Sequence, residues 1–435
     1  MSTLKNLIKL PELRGKILFT LFMICLFRFG GYLPVPGIDV EQLTVLQQRS
    51  NDEGVLGFLN LFSGGALSNF SIFVLGIMPY ITSSIIMQLL TVVIPRLEQW
   101  SKDGAAGQKK ITQWTRYLAI FLAIIQATGY MFQFHNGIIG GQETGIDLFP
   151  GGRWNLPRVT LGILAIVAGT ALVMWMGEMI SQRGIGNGMS LLIFTNVVSR
   201  LPQQFTQVKD SKGWTGLLLL IGGVLIMIVA IIVVDNGQRR IPVQFPKRVV
   251  GNRMMGGQNT YIPLKVNQSG VVPIIFASSL MYFPVLISSI FPTGIQQFIN
   301  NNILKSDSFF YMAVFGLLIV GFAYFYSAIS FDPHQQSDQI RKQGGFIPGI
   351  RPGAPTERFL TFVLNRITFP GGVFIMLIAL VPSLLSLFFG ITNFGFGGTS
   401  ILIAVGVALE TMKQIDSQMT TKNYQGFLKP TKAAS

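Results

Sequence analysis

Between Glu53 and Arg96 the chain carries no charged side chain. This stretch, Gly54 to Ile94, is too long for one membrane crossing, which takes about 20 residues. Its first part, Val55 to Phe70, is interrupted by Gly64, Gly65, Ser68 and Asn69. The pattern predicts a half-helix followed by a full helix over Ser71 to Ile94. The full helix carries Pro79, Thr82, Ser83, Ser84, Gln88 and Thr91, which places it against protein or water, because lipid offers polar groups no partner. One long helix with an interfacial extension would satisfy the backbone equally well.

Windows of about 19 residues predict ten spans. Five lie in the first half: Ile17 to Val35, Ser71 to Ile94, Tyr117 to Phe134, Val159 to Ile180 and Ile185 to Leu201. Five lie in the second: Trp214 to Val234, Val271 to Phe291, Phe309 to Phe331, Phe369 to Gly390 and Phe394 to Met412. Half the residues are hydrophobic and only 12% charged, which fits an all-α polytopic membrane protein. An even number of spans puts both termini on one side. The segments on that side hold 25 basic and 10 acidic residues, net +15, and the opposite side holds 8 and 8, net zero. The positive-inside rule makes the basic side cytosolic, and a basic face suits anionic partners such as lipid headgroups, ribosomal RNA or acidic protein.

Cys25 is the single cysteine, so no intramolecular disulfide forms. The basic and apolar N-terminus resembles a signal peptide but lacks a small-residue cleavage site. It is read as a retained first span, with Leu4, Leu7, Ile8 and Leu10 along the interface.

GIMPYITSSIIM from Gly76 and GVVPIIFASSLM from Gly270 align without a gap, matching Gly76 with Gly270, Pro79 with Pro273, Ile81 with Ile275 and Ser84 with Ser278. The match lies in the second span of each five-span half, and five is odd, so the halves are inverted repeats. The expected division is an N-terminal half 1–210, a C-terminal half 211–412 and a cytosolic tail 413–435. Two cytosolic segments, 236–270 and 332–368, are rich in Arg, Lys, Pro and Gly. RRIPVQF and TYIPLKV alternate as strands and predict a protruding hairpin. The second segment predicts an ordered loop with turns at Gly344, Gly345, Pro348, Gly349, Pro352 and Gly353. A solvated charge run that only orients the protein is the plain alternative.

No catalytic set is visible. His135 and His334 fall on opposite sides of the membrane and lack metal-ligand spacing. GIGNG at Gly184 lacks the lysine of a phosphate loop and reads as a turn between spans four and five. Arg28, Glu178 and Glu410 are the ionisable residues placed at membrane depth, all near span ends, too few for a proton relay. No catalytic residue, metal or cofactor is expected.

SIFVLGIMPYITSSIIMQLL from Ser71 resembles one signature of the SecY family of bacterial protein-conducting channels, and MWMGEMISQRGIGNGMSLLIF from Met174 resembles the other. LFSGGALS at Leu61, GQRRIPV at Gly237, PLKVNQSGVVPIIFASS at Pro263, FIPGIRPG at Phe346 and FGGTSILI at Phe396 extend the likeness over nearly the whole chain. The resemblance implies ten spans in two pseudo-symmetric halves around a pore. It implies a constriction of Ile77, Ile81, Met189, Ile193, Ile275 and Ile403. Met189 departs from the usual branched aliphatic and makes a more deformable ring. Taken singly and without the resemblance, each isoleucine reads first as helix packing.

The same resemblance implies a plug over Val55 to Asn69, with Phe58, Leu61, Phe62, Ser63, Gly64, Gly65 and Leu67. It also implies a lateral gate between spans two and seven. Thr82, Ser83, Gln88, Thr91, Ser278 and Ser279 are expected to pair across that gate at about 0.6 kcal/mol each. Arg351, and after it Arg240, Arg248 and Arg253, are expected to dock the SecA motor or the ribosome. Small membrane subunits SecE and SecG, signal peptides and nascent secretory or membrane polypeptides complete the implied partners. The implied location is the bacterial inner membrane. A secondary carrier, with inverted repeats and broken helices, and a membrane scaffold without a pore are the rival readings.

Overall fold

A computed structural model describes residues 11–38, 63–67, 69–135, 138–139, 142–143, 156–245, 248–250, 253–255, 259–288, 308–389 and 398–428. Phe58, Leu61, Phe62, most of the expected half-helix, the ends of spans seven and nine and the start of span ten lie outside these residues.

The described helices are α1 (Pro11–Gly30), α2 (Met78–Val93), α3 (Pro95–Lys102), α4 (Ala105–His135), α5 (Leu156–Arg183) and α6 (Gly188–Asn236). They continue with α7 (Val272–Ser288), α8 (Phe309–Ser330), α9 (Pro333–Lys342), α10 (Ala354–Phe389) and α11 (Gly398–Leu428). Among the described residues, five helical segments are long and apolar enough to cross a membrane, or six if the bent pair α2 and α3 counts as one. The chain is a multi-pass membrane protein. Lipid is the solvent its outer surface requires: the Gly213–Asn236 segment has a mean hydropathy of 3.4 yet is only 11% buried, an apolar exposure that water would penalise.

The second span starts later than its hydropathy suggests. Residues 72–77 form tight turns, and Ser71 bridges Pro34 in antiparallel fashion. Gly76 takes a left-handed φ of 54°, which ends any helix before it. Then α2 begins at Met78 with Pro79 in its first turn, where the missing N–H costs nothing. Gly270 repeats this device, with φ 61°, two residues before α7 begins at Val272 with Pro273 next. The two matched segments therefore share a backbone geometry as well as a sequence. Pro95 stops α2 at Ile94, since a residue before proline is pushed out of the α region. The chain bends by 102° there into α3, none of whose residues is buried.

The fifth and sixth spans are not separated by a loop. Helix α6 continues past Leu201 and through Pro202, and only Gly213, with φ 68° and ψ −167°, breaks it. The expected boundary at 210/211 falls three residues before that break. The segment 332–368 is likewise more helical than expected. It contains α9, a short loop with left-handed glycines at 344, 349 and 353, and the first turns of α10, which starts 15 residues before Phe369. Leu360, Val363 and Leu364 explain this early start: they recur at helical spacing and are buried.

The predicted hairpin forms. Strand β3 (Gln238–Gln244) pairs antiparallel with β6 (Asn259–Lys265), Ile241 opposite Ile262. At its far end β4 (Arg248–Val250) pairs with β5 (Arg253–Met255). A two-residue pair, β1 (Ile138–Ile139) with β2 (Gln142–Glu143), follows α4 and precedes α5. Gln244 and Phe346 exchange backbone hydrogen bonds of 2.9 and 3.0 Å, so the hairpin and the 343–353 loop form one platform. Ile241, Val243, Leu264, Ile340, Ile347 and Leu360 give that platform its own core, separate from the core inside the helices.

Candidate functional site

The residues expected to form the ring all lie in the large apolar core between the helices. Ile77, Ile81, Ile193, Ile275 and Ile403 are buried in one cluster, and Met189, half-buried, packs against it. They come from four places in the chain: the start of α2, the start of α6, α7 and α11. The signature glycines let these elements close up. Gly184 and Gly186 turn the chain between α5 and α6, Gly186 with φ 81°, and Asn187 caps α6 by accepting from the Met189 N–H at 3.1 Å.

Helix α6 orders the site along its axis. Asn187 and Ser190 line a cavity of about 600 Å³. Met189 and Ile193 belong to the ring cluster. Asn196 and Arg200 then meet Gly64 and Gly65 of the expected plug. At 1.5 Å per residue, the distance from Asn187 to Arg200 is about 20 Å. A cavity, the apolar core and the Gly64–Gly65 turn thus follow one another along a single helix. Helix α11 repeats the order: Ile403 sits in the ring cluster, while Gly406, Glu410 and Lys413 line the cavity. The cavity has an apolar floor at Val271, Ile275 and Leu402 and a charged mouth at Asp235, Lys265, Glu410 and Lys413. Lys413 Nζ lies 2.8 Å from Asp235 Oδ2, tying α11 to α6 at that mouth.

Of the expected plug, Ser63 to Leu67 is described, and it forms turns rather than a helix beyond Ser63. Gly64 and Gly65 have φ of 64° and 96°. The Ser63 hydroxyl accepts from the Leu67 N–H at 3.2 Å, and Ala66 is buried in the ring cluster. Arg28 Nη1 donates to the Gly64 carbonyl at 2.9 Å. Arg200 was not among the residues placed at membrane depth, although it lies inside the fifth window; an arginine in an otherwise uncharged window was the signal available.

Helices α2 and α7 are in direct contact, with Ile81 and Ile85 clustered with Ile274, Ile275 and Ala277. The expected polar pairing across them is not seen. Thr82 donates to Met78 O at 2.9 Å, Ser83 to Tyr80 O at 2.8 Å and Thr91 to Gln88 O at 2.6 Å. Ser278 and Ser279 donate to Ile275 O at 3.0 and 2.8 Å. Each hydroxyl bonds back into its own helix, the local option always open to Ser and Thr. Gln88 Nε2 reaches Ser84 Oγ at 3.4 Å, and its buried Oε1 has no partner among the described residues. Among the described residues, the contact between α2 and α7 is therefore apolar packing.

On the platform, Arg351 is exposed in a groove shared with Arg341, Phe346 and Pro352. Arg240 stacks over Tyr261 at 4.9 Å. Arg248 begins β4 and Arg253 begins β5 in the outer part of the hairpin.

A model of the SecY family matches residues 71–412. The chain belongs to the SecY family. It is 48% identical to the protein translocase subunit SecY of Streptomyces galbus over 428 residues, 96% of this chain and 98% of that one. Against the SecY subunit of Mycobacterium tuberculosis H37Rv it is 46% identical over 443 residues, 99% and 100% of the two chains. Its fold is similar to a solved structure described as a protein conducting channel, with TM-score 0.62 and 17% identity over 96% and 95% of the two chains. A second similar structure, TM-score 0.59 and 18% identity over the same shares, is described by a SecY plug domain that stabilises the closed state and maintains a membrane seal. A third is Sec61 in a canine ribosome-channel complex, TM-score 0.57 and 16% identity, again over 96% and 95%. SecY membership sets aside the carrier and scaffold readings.

Proposed function

We propose that this SecY-family chain is the pore subunit of a protein translocase. It passes unfolded secretory polypeptides across the bacterial inner membrane and releases apolar segments sideways into lipid between α2 and α7. The observation that carries this reading is the order along α6 of charged-mouthed cavity, apolar ring and plug turn. The ring of Ile77, Ile81, Met189, Ile193, Ile275 and Ile403 offers ions and water no hydrogen bonds, so it holds them back by dewetting while its side chains deform around a passing chain.

The α2–α7 contact is apolar, so opening it exposes hydrocarbon to hydrocarbon and costs little. A signal helix of about 20 leucine-like residues gains about 0.3 to 0.6 kcal/mol per residue by entering lipid, and one central charge returns about 2.5 to 3.5 kcal/mol. Sorting is by partition free energy. The channel performs no chemistry of its own, and a partner drives transport: SecA or the ribosome on the basic platform, with SecE and SecG alongside the helices. Both termini and the platform face the cytosol, the side that holds the whole net charge. The halves 1–210 and 211–412 move against each other about Gly213.

Ion conductance of the reconstituted channel tests the reading. The parent is tight, while deletion of Val55 to Asn69, or glycine at both 81 and 275, makes it leak. Equal tightness in all three folded proteins would remove the pore assignment.

A further inference from the structure

The two arginines nearest the plug turn carry an inference beyond the pore itself. Arg28, near the end of α1, and Arg200, in the outer part of α6, reach consecutive glycines from two different helices. Arg28 Nη1 donates to the Gly64 carbonyl at 2.9 Å. A methyl group built on Gly64 would lie 2.8 Å from Arg28 Nη1 and would overlap the Asn196 side chain. One built on Gly65 would lie 2.9 Å from Arg200 Nη2. Both glycines have left-handed φ, so two independent constraints, conformation and close approach, require glycine there.

Among the described residues, the turn is also tied to the segment that follows it. Ser71 N–H donates to Ala66 O at 2.9 Å, and Val35 N–H donates to Phe70 O at 3.0 Å. In front, toward the ring, the contact is apolar through Ala66. A guanidinium is a planar fork of fixed donors, and at this depth few water molecules compete for the carbonyl it binds.

We infer that Arg28 and Arg200 form a two-armed latch that holds the Ser63–Leu67 turn under the ring in the closed channel and lets go as one unit when the plug moves. They are positioning residues: they act on the seal through the plug. The inference rests on the plug reading above, and the experiment separates the two.

Arg28→Gln, Arg200→Gln and Arg28→Lys are each placed in the full chain and in the chain lacking Val55 to Asn69, then reconstituted. Resting ion leak is measured in both backgrounds, and hydrogen exchange of residues 63–67 in the full chain. In the full chain each glutamine variant raises leak about tenfold, a change worth ~1.4 kcal/mol, and speeds exchange of the turn without changing the melting temperature. Arg28→Lys recovers most of the seal, because an ammonium still donates to the Gly64 carbonyl. In the deleted chain, already leaky, the same substitutions add nothing.

If the deleted chain leaks while the glutamine variants stay tight and protected, the latch is overturned and the plug stands. If the glutamine variants add the same leak without the plug, the arginines act on the pore wall and the latch is again overturned. A deleted chain as tight as the parent overturns the plug reading, and the latch with it.

Discussion

Gly177 on α5 and Met189 on α6 approach so closely that a methyl group at 177 would overlap the Met189 thioether. At the residue before Met189, a methyl group on Gly188 would overlap the carbonyl of Gly177 itself. These two glycines are spacers that let α5 and α6 approach at Met189. Their substitutions are predicted to differ, because a thioether can swing aside and a backbone carbonyl cannot. Gly177→Ala costs about 1 kcal/mol and Gly188→Ala about 3 kcal/mol, the two ends of the range for overpacking. Met189→Ala rescues the first and not the second. Thermal unfolding in nanodiscs measures the order, and a larger effect at 177 would contradict the account.

Arg116 on α4 grips Glu178 on α5 with two hydrogen bonds, Nε to Oε1 at 2.7 Å and Nη2 to Oε2 at 2.6 Å. The Glu178 side chain is 16% exposed, whereas the Glu98–Lys102 pair on α3 leaves both partners more than half exposed. A two-pronged, partly buried pair is stronger than a solvated one. Glu178→Gln is therefore expected to lower stability by about 2 kcal/mol, and Glu98→Gln by less than about 0.5 kcal/mol. Equal melting temperatures for the two variants would show that burial does not decide between these pairs.

Where the sequence was legible, one local force dominated. Hydropathy found α4, α5, α7 and α8 because long apolar runs leave the backbone no other state in lipid. Alternation found β3 and β6, whereas hydropathy opened the second span at Ser71 and missed the start at Met78 that Gly76 and Pro79 mark. The readings that failed depended on a neighbour. Leu360, Val363 and Leu364 make the start of α10 helical by packing on the β3–β6 hairpin, a partner about a hundred residues earlier. Thr82 and Ser278 bond to their own helices, an option that a count of hydroxyls does not reveal. The fifth window closed at Leu201, yet α6 runs on through Pro202. Arg200 gains its role from a turn about 135 residues before it, which no window contains.

His334, outside the spans on α9, lies 3.0 Å from Glu357 Oε2 on α10 and 3.9 Å from Asp338 on α9, with Asp332 capping the same helix. The hydrogen bond to Glu357, then its charge and that of Asp338, raise the histidine above its ordinary 6.5. A raised folded pKa means the charged pair contributes fully below pH 6.5 and fades as pH climbs through the higher folded value. The α9–α10 junction is predicted to loosen as pH rises from 6.5 through the raised value. Proton exchange in α9 measured from pH 6 to 8 checks it. Glu357→Gln moves the midpoint downward, and an unchanged midpoint in that variant would sink the assignment.

Arg351 is the sharpest test of the platform. Its carbonyl accepts from Thr356 Oγ1 at 2.9 Å, which fixes the loop backbone, while the guanidinium is exposed in the groove with Arg341 and Phe346. Nothing in the fold depends on its charge, so Arg351→Glu should change stability by less than about 0.5 kcal/mol. Docking should suffer far more, because the substitution removes a charge-assisted contact worth about 1.5 to 3 kcal/mol and adds repulsion. SecA-driven import into proteoliposomes is expected to fall at least about tenfold, with resting conductance unchanged. The separation between the two readouts is what matters. Loss of import with a tight, stable channel places Arg351 at the motor interface; normal import in this variant would remove it, and docking would have to rest on Arg240 and the hairpin tip.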